Sequence, residues 1–319
     1  MKRKRILITG ASGCIGHYIT ETLIKNTDHE LHLLVRHPDK LGFDCNARSG
    51  INIIKSDLRD VEKLAEFLKT VDVAILAATS WGGIQEVFDI NFVKTIRLIQ
   101  LLSPENCEQV IYFSTASILD RDNNLLKEAG QLGTDYIRSK YECMWELNRL
   151  TNLPPITSVF PTLVLGGDTN KPYSHLSSGV PEVAKWINLI RWFKADASFH
   201  FMHGADIAEV IRYLVENPQI SKEKRKFVLG NPRITVNQAV EEACAYFNKR
   251  IFFRITLSPW LANFLIVVFQ IQMAAWDRFC LEYRHFSYKD PLNPQSLGLP
   301  VYCANVADLL RLSGVPGKG

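Results

Sequence analysis

Across the first half of the chain, short β-branched and aliphatic runs alternate with stretches whose apolar residues return every three or four positions. The runs 5–8, 30–35, 51–55, 73–77, 110–114 and 156–165 read as strands, and their near-continuous apolar character suits parallel strands covered on both faces. Between them Ile15, Ile19 and Leu23 share a helical face, as do Val61, Leu64 and Leu68 and then Phe92, Ile96 and Ile99. Strand–helix alternation in this order predicts an α/β fold, a Rossmann-type doubly wound parallel sheet.

After Leu165 the pattern turns irregular, and a smaller C-terminal substrate lobe is expected there. The expected division is a dinucleotide-binding domain over 1–166, with return segments at about 199–230, and a substrate lobe from 167–198 and 231–319. The returns fall at 199–206 and 226–230. The stretch Thr235-Val236-Asn237-Gln238 has the form of a capping box opening a helix through Phe247, and 250–256 looks like a further strand. With 319 residues, 47% of them hydrophobic, the chain can bury one large core plus such a lobe. No internal repeat or low-complexity linker separates the two.

Net charge is +4 with the basic residues scattered, which gives no nucleic-acid footprint. Seven cysteines, far apart and without a C-x-x-C pair, argue for reduced thiols in a cytoplasmic setting and against a metal site. His175, His200 and His203 lack a carboxylate or cysteine at metal spacing and are assigned to packing or to the lobe rim. One apolar stretch, 258–276, is too short and too interrupted for a comfortable membrane span. It reads as a buried or lid helix, with peripheral membrane contact as the alternative.

The first strand runs directly into Thr9-Gly10-Ala11-Ser12-Gly13-Cys14-Ile15-Gly16, a G-x-x-G-x-x-G turn that opens a helix. Small residues there let backbone N–H groups and the helix N-terminus approach a pyrophosphate. At the end of the second strand, where a carboxylate would favour NAD, the sequence has Val35-Arg36-His37-Pro38-Asp39-Lys40. Arg36 can grip a 2′-phosphate and Lys40 can add a charge, so NADP is expected over NAD. Farther on, Tyr136 and Lys140 lie four apart on one helix face. A lysine beside a phenol is expected to lower its pKa, fitting the tyrosine to exchange a carbinol proton while a nicotinamide moves hydride.

Taken with the strand end Tyr112-Phe113-Ser114-Thr115-Ala116-Ser117 and the stretches Ser56-Asp57-Leu58, Ala77-Ala78, FPTLVLG and FHFMHGADIA, the chain resembles the extended and atypical branches of the short-chain dehydrogenase/reductase superfamily, over about 5–230. The resemblance implies that Thr115 holds the substrate oxygen, that Tyr136 is the acid/base, and that Lys140 tunes Tyr136 and binds ribose. It implies cofactor contacts from Gly10, Ser12, Gly13, Cys14, Ile15 and Gly16, from Asp57 and Leu58 to adenine, from Ala77 and Ala78, and from Pro161, Thr162 and Leu163 beside the nicotinamide. Ser114 and Ser117 remain rivals to Thr115, and Asn91 is a weaker candidate. A homodimer through 85–103 and 135–150 is also open.

Ala116 and Ser117 stand where the family's sugar dehydratases carry an acidic pair, and Phe160 and Leu163-Val164-Leu165 stand where its nucleotide-sugar epimerases carry arginine and asparagine. The expected activity is therefore NADP-dependent hydride transfer to or from a small molecule. Trp186, Trp192, Phe193, Phe199 and Phe201 suggest an apolar pocket for it. A cofactor-retaining epimerase and a non-catalytic NADP-binding sensor or scaffold are the alternatives.

Overall fold

The computed structural model describes residues 2–223, 225–258, 260–261, 270 and 272–317. Its frame is a seven-stranded sheet in which β1 (Arg5–Thr9) lies between β2 (Glu30–Val35) and β4 (Val73–Leu76). Outward on one side comes β3 (Ile51–Lys55), and on the other β5 (Gln109–Phe113), β6 (Ile156–Pro161) and β11 (Lys226–Leu229). All six pairings are parallel. The chain reverses its direction of travel across the sheet at β1, the switch point where such sheets open a crevice at their C-terminal edge.

Both faces of the central strands are covered, which is why those strands are mainly apolar. On one face α1 (Cys14–Asn26) packs beside α9 (Gly204–Glu216), burying Ile19, Leu23, Ile207 and Ile211 against Ile6, Ile8 and Ile75. On the other, α4 (Thr95–Leu101) and α6 (Asp135–Leu147) bury Ile99, Cys143 and Leu147 against Leu7, Ala74 and Val110. A third, separate core joins Leu165, Phe201, Ile234, Val240, Cys244, Phe247, Val306 and Leu310. The capping box at Thr235 and Gln238 forms and starts the helix Val236–Tyr246.

Several elements differ from the sequence expectation. The strand expected over 156–165 breaks at Thr162, whose N–H and hydroxyl both donate to the Leu229 carbonyl. The chain then leaves the sheet as β7 (Leu163–Leu165) and pairs with β10 (Phe201–His203), so the return at 199–206 joins β7 and not the main sheet. Of the strand expected over 250–256 only Ile255–Thr256 forms, paired with β8 (Phe193–Lys194). The second crossover is a 3-10 segment, Leu58–Leu64, running into the short α2 (Ala65–Leu68). Most of the apolar stretch 258–276 lies outside the described residues, and the described helix after it is Ala275–Tyr283. No described helix is long and apolar enough to cross a membrane.

One buried carboxylate ties the C-terminal segment to the frame. Asp206, in the first turn of α9, accepts from the backbone N–H of Tyr302 at 2.6 Å and of Cys303 at 3.0 Å. Burial pushes its pKa up to about 6 despite those two donors. Replacing it with alanine strands two backbone donors, and Asp206→Ala should cost about 1–3 kcal/mol in urea unfolding at neutral pH. A raised carboxylate favours the folded state most below its unfolded pKa of about 3.9 and loses that contribution as pH rises through its folded value. The decline in wild-type stability between about pH 4 and 6 from this group should therefore be missing in Asp206→Ala.

Candidate active site

Strand register brings the candidate residues to one edge. Thr9 pairs with Leu76, Leu76 with Tyr112, and Phe113 with Val159. Gly10, Ala77, Ser114 and the end of β6 thus emerge side by side at the C-terminal edge of the four central strands.

The turn after β1 is built on close backbone contact. Gly10 adopts φ +76°, and a Cβ there would stand 2.6 Å from the Ala77 carbonyl carbon and the Ala78 nitrogen. A Cβ on Gly16 would overlap the Gly10 carbonyl oxygen. Any side chain at either position separates β1 from β4 or lifts α1 off the turn. Gly13 donates to the Gly10 carbonyl at 2.9 Å and serves as N-cap of α1; no side chain caps that helix and no acid lies in its first turn. Its first amides, around Cys14 and Ile15, could hold an anion on the positive end of the helix dipole. Burial pushes the Cys14 thiol up to about 11, so it stays protonated at neutral pH.

Arg36 follows β2 and is half exposed, with Nη1 3.8 Å from Asp57 and 3.9 Å from Glu86. Asp57 is already engaged: it accepts from the Arg59 backbone and guanidinium, capping the turn that starts at the buried Leu58. These contacts hold its carboxyl below the usual range even against its partial burial. Lys40 ends a short 3-10 turn after Arg36 and has no ion pair among the described residues. A phosphate between Arg36 and Lys40 would meet two cations with only Arg36 already shared.

Tyr136 and Lys140 occupy α6, but in different settings. The Lys140 ammonium is buried, donates to the Phe113 carbonyl at 2.8 Å, and lies 5.2 Å from the centre of the Tyr112 ring. No ion pair to it occurs among the described residues, and burial brings its pKa down to about 8. Burial pushes the Tyr136 phenol's pKa up to about 12, outweighing Thr115 beside it, which favours the anion. The expected depression of the phenol by lysine is therefore overturned: the ammonium donates to a backbone carbonyl, and the phenol is partly shielded from water. Among the three strand-end hydroxyls, it is Thr115 that meets Tyr136. Ser114 turns inward beside Tyr112, and the Ser117 N–H donates to the Thr115 hydroxyl at 3.3 Å.

The shield is Trp81, which the sequence reading passed over. Its indole stacks on the Tyr136 ring with centroids 3.9 Å apart and planes 21° off parallel, and His175 sits 4.4 Å from the same indole. Asn91 fixes the loop that carries it. From a π-helical turn this fully buried side chain accepts from the Thr79 hydroxyl and the Ser80 N–H, and donates to the Ser80 carbonyl and the Ser139 hydroxyl. Ser139 in turn donates to the Tyr136 carbonyl, so one amide joins the loop over Tyr136 to the helix beneath it. A lone aromatic followed by Gly82-Gly83 was the only trace of this in the sequence.

The remaining candidates divide. Pro161 ends β6, Thr162 is held against Leu229, and Leu163 is exposed. His200 is fully used, its Nδ1 donating to the Asn231 carbonyl and its Nε2 accepting from the Tyr288 N–H, and His203 caps α9. Of the aromatics expected to line an apolar pocket, Phe199 and Phe201 pack into the third core, Trp192 stacks on Phe253, and Trp186 faces outward. Only Phe199 and Phe201 are held by the lobe's own core. A cleft of about 700 Å³ lies where His200, Arg233 and Tyr288 meet Arg121 and Lys289.

Residues 6–230 match the NAD dependent epimerase/dehydratase family. Among characterised sequences the chain is similar to a probable pinoresinol-lariciresinol reductase 3 of Arabidopsis thaliana, at 32% identity over 32% of this chain and 34% of the relative. It is also similar to a bifunctional UDP-glucose 4-epimerase and UDP-xylose 4-epimerase 3 of the same plant, at 31% identity over 36% and 37%. These matches thus span about a third of the relatives' length. Among solved structures, gox2253 superposes with a TM-score of 0.70 at 21% identity, covering 98% of this chain and all of that one. The dTDP-glucose 4,6-dehydratase of Bacillus anthracis superposes with a TM-score of 0.62 at 13% identity, covering 98% and 96%. Both bear on the fold alone. The chain belongs to the NAD dependent epimerase/dehydratase family, within the extended class of NAD(P)-dependent short-chain dehydrogenases/reductases.

Proposed function

We propose that this protein is an NADP-dependent oxidoreductase that transfers hydride between nicotinamide and a carbonyl or carbinol of an apolar small molecule. The observation that carries the reading is that Tyr136 lies beside Thr115 at the same sheet edge as the Gly10–Gly16 turn. The side-chain-free contacts of Gly10 and Gly16 and the uncapped start of α1 fit a pyrophosphate, with Ser12, Gly13, Cys14 and Ile15 around it. When bound there, the cofactor would supply or accept the hydride.

The chain's own groups handle the oxygen and its proton. Thr115 and Tyr136 hold the substrate oxygen between two hydroxyls, and Tyr136, protonated at neutral pH, donates its phenolic proton as a carbonyl is reduced. Lys140 stands behind it, and its two N–H groups not directed at Phe113 suit ribose hydroxyls. Ala77, Ala78, Leu58, Pro161, Thr162 and Leu163 would border the cofactor, and Asp57 would reach adenine from its place beside Arg59. Trp81 covers the ring of Tyr136 and would form the apolar roof against which the substrate lies. Asn91 is a positioning residue for that roof.

The division into a cofactor domain over 1–166, with returns at about 199–230, and a substrate lobe over 167–198 and 231–319 belongs to the same reading, as does a reducing, cytoplasmic setting for the seven free thiols. Exposed Val93 and Trp145 support a homodimer through 85–103 and 135–150. A cofactor-retaining epimerase is the second reading, favoured by the similarity to a UDP-sugar epimerase. It would interconvert two sugars with no net change in nicotinamide absorbance.

A panel of apolar ketones and UDP-sugars with NADPH separates the two, and net NADPH oxidation by the ketones alone is expected. Tyr136→Phe should lower kcat about 10²–10⁴-fold while NADPH binding, followed by its fluorescence, stays unchanged. Unchanged turnover would remove Tyr136 from the chemistry. Arg36→Ala should reduce the preference for NADPH over NADH by about 10- to 100-fold in kcat/KM, the size of a lost charge-assisted contact. An unaltered ratio would remove Arg36 from cofactor choice.

A further inference from the structure

The C-terminal lobe carries an apolar face that its own core does not use. Helices α7 (Val180–Lys185) and α8 (Ile187–Ile190) turn Val180, Ala184, Ile187 and Ile190 toward the third core. Val183, Trp186 and Leu189, spaced by three on the other side, are more than half exposed. A two-turn segment that is apolar on both faces is expected to be covered on both. Beside it, Ile255 donates through its backbone to the Trp192 carbonyl, and Phe253 stacks on Trp192 with ring centroids 4.8 Å apart. Phe252, Phe253 and Ile255 are also exposed, Phe252 at 76%. Isolated surface hydrophobics need no explanation, but six within two adjoining segments do.

The charge around this face decides what covers it. Residues 182–194 and 249–256 hold Lys185, Arg191, Lys194, Lys249, Arg250 and Arg254, against one acid of their own, Glu182. Glu182 pairs with Lys185, and Glu241 pairs with Arg254 from the neighbouring helix. Asp196, nearby, is taken by Arg284 and His285. Arg191 reaches the Arg250 carbonyl. Lys194 and Lys249 have no ion pair among the described residues. Two acids against six bases leave an excess of four positive charges around exposed Trp, Phe, Leu and Val. This is the composition of an interfacial element that seats aromatics among headgroups and basic side chains on anionic phosphates. A second copy of the chain would bring like charge to like charge on this face.

We propose that the face formed by α7, α8 and residues 252–255 docks peripherally on an anionic lipid bilayer. It rests on the described residues alone and stands whether or not the redox reading does. The docked lobe would sit at the membrane surface without crossing it.

The test is co-sedimentation of the full chain with vesicles of phosphatidylcholine alone and of three parts phosphatidylcholine to one of phosphatidylglycerol. The protein should pellet with the anionic vesicles at about 0.1 M salt and be released at about 1 M, where charges are screened beyond a few ångströms. Trp186→Ser with Phe252→Ser, both at exposed positions, should weaken partitioning about tenfold or more, with circular dichroism and melting unchanged. Lys194→Glu with Lys249→Glu should weaken it on the anionic vesicles only. No partitioning of the wild type, or partitioning unaffected by both pairs, overturns the proposal. So does sedimentation equilibrium showing that the wild type is a dimer and Trp186→Ser/Phe252→Ser a monomer without vesicle binding, because the face would then join copies of the chain.

Discussion

Everything at the sheet edge follows from how closely three backbones approach one another at Gly10. With φ +76° and no side chain, Gly10 lets β1 turn directly beneath Ala77 and Ala78, while Gly16 brings the first turn of α1 onto its carbonyl. Either Cβ would force one of these elements to move, and the left-handed backbone at Gly10 adds strain for any other residue. That contact sets the height of α1 and leaves its first amides free. It also fixes where Ala77 and Ala78, which lead into the loop bearing Trp81, lie against β1.

The second determinant is polar and buried. Asn91 satisfies four hydrogen bonds inside the fold, each worth about 1 kcal/mol net but costlier if left half made. It links the loop after β4 to α6, and through Ser139 to Tyr136. Lys140 is the complementary case, a buried cation whose one described hydrogen bond is to a carbonyl, and burial brings its pKa down to about 8. A charge held so weakly inside a protein is a common mark of functional sites. Tyr136 shifts in the opposite direction, because the same exclusion of water penalises its anion. On the proposed reading, a phenol held protonated in this way would give a proton before taking one.

The sheet was legible because parallel strands buried on both faces are mainly apolar, and strands 30–35 and 51–55 fall on the expected residues. The glycine turn, the Tyr136–Lys140 pair and the capping box at Thr235 are local patterns, readable for the same reason. What escaped depends on distant partners. The break at Thr162 is set by Leu229, the pairing of β7 by Phe201, opposite Leu163 but far along the chain, and the stacking of Trp81 on Tyr136 by a contact across the sheet edge. Thr115 could not be told from Ser114 and Ser117 by sequence, since one residue of register reverses which side of a strand a hydroxyl faces. The aromatics of 186–201 were read as one pocket, although composition does not distinguish a lining from a core or an exposed face.

The central claim is that the Gly10–Gly16 turn and the Tyr136–Thr115 pair serve one reaction at one edge. The most direct measurement is isotope transfer: NADPH with both hydrogens of the reactive nicotinamide carbon replaced by deuterium is incubated with an apolar ketone, and the alcohol is analysed by mass spectrometry. The account predicts an alcohol bearing a single deuterium at the carbinol carbon, formed by the wild type and lost in Tyr136→Phe. An alcohol without the label, or NADPH that binds while none of the ketones is reduced, would contradict it.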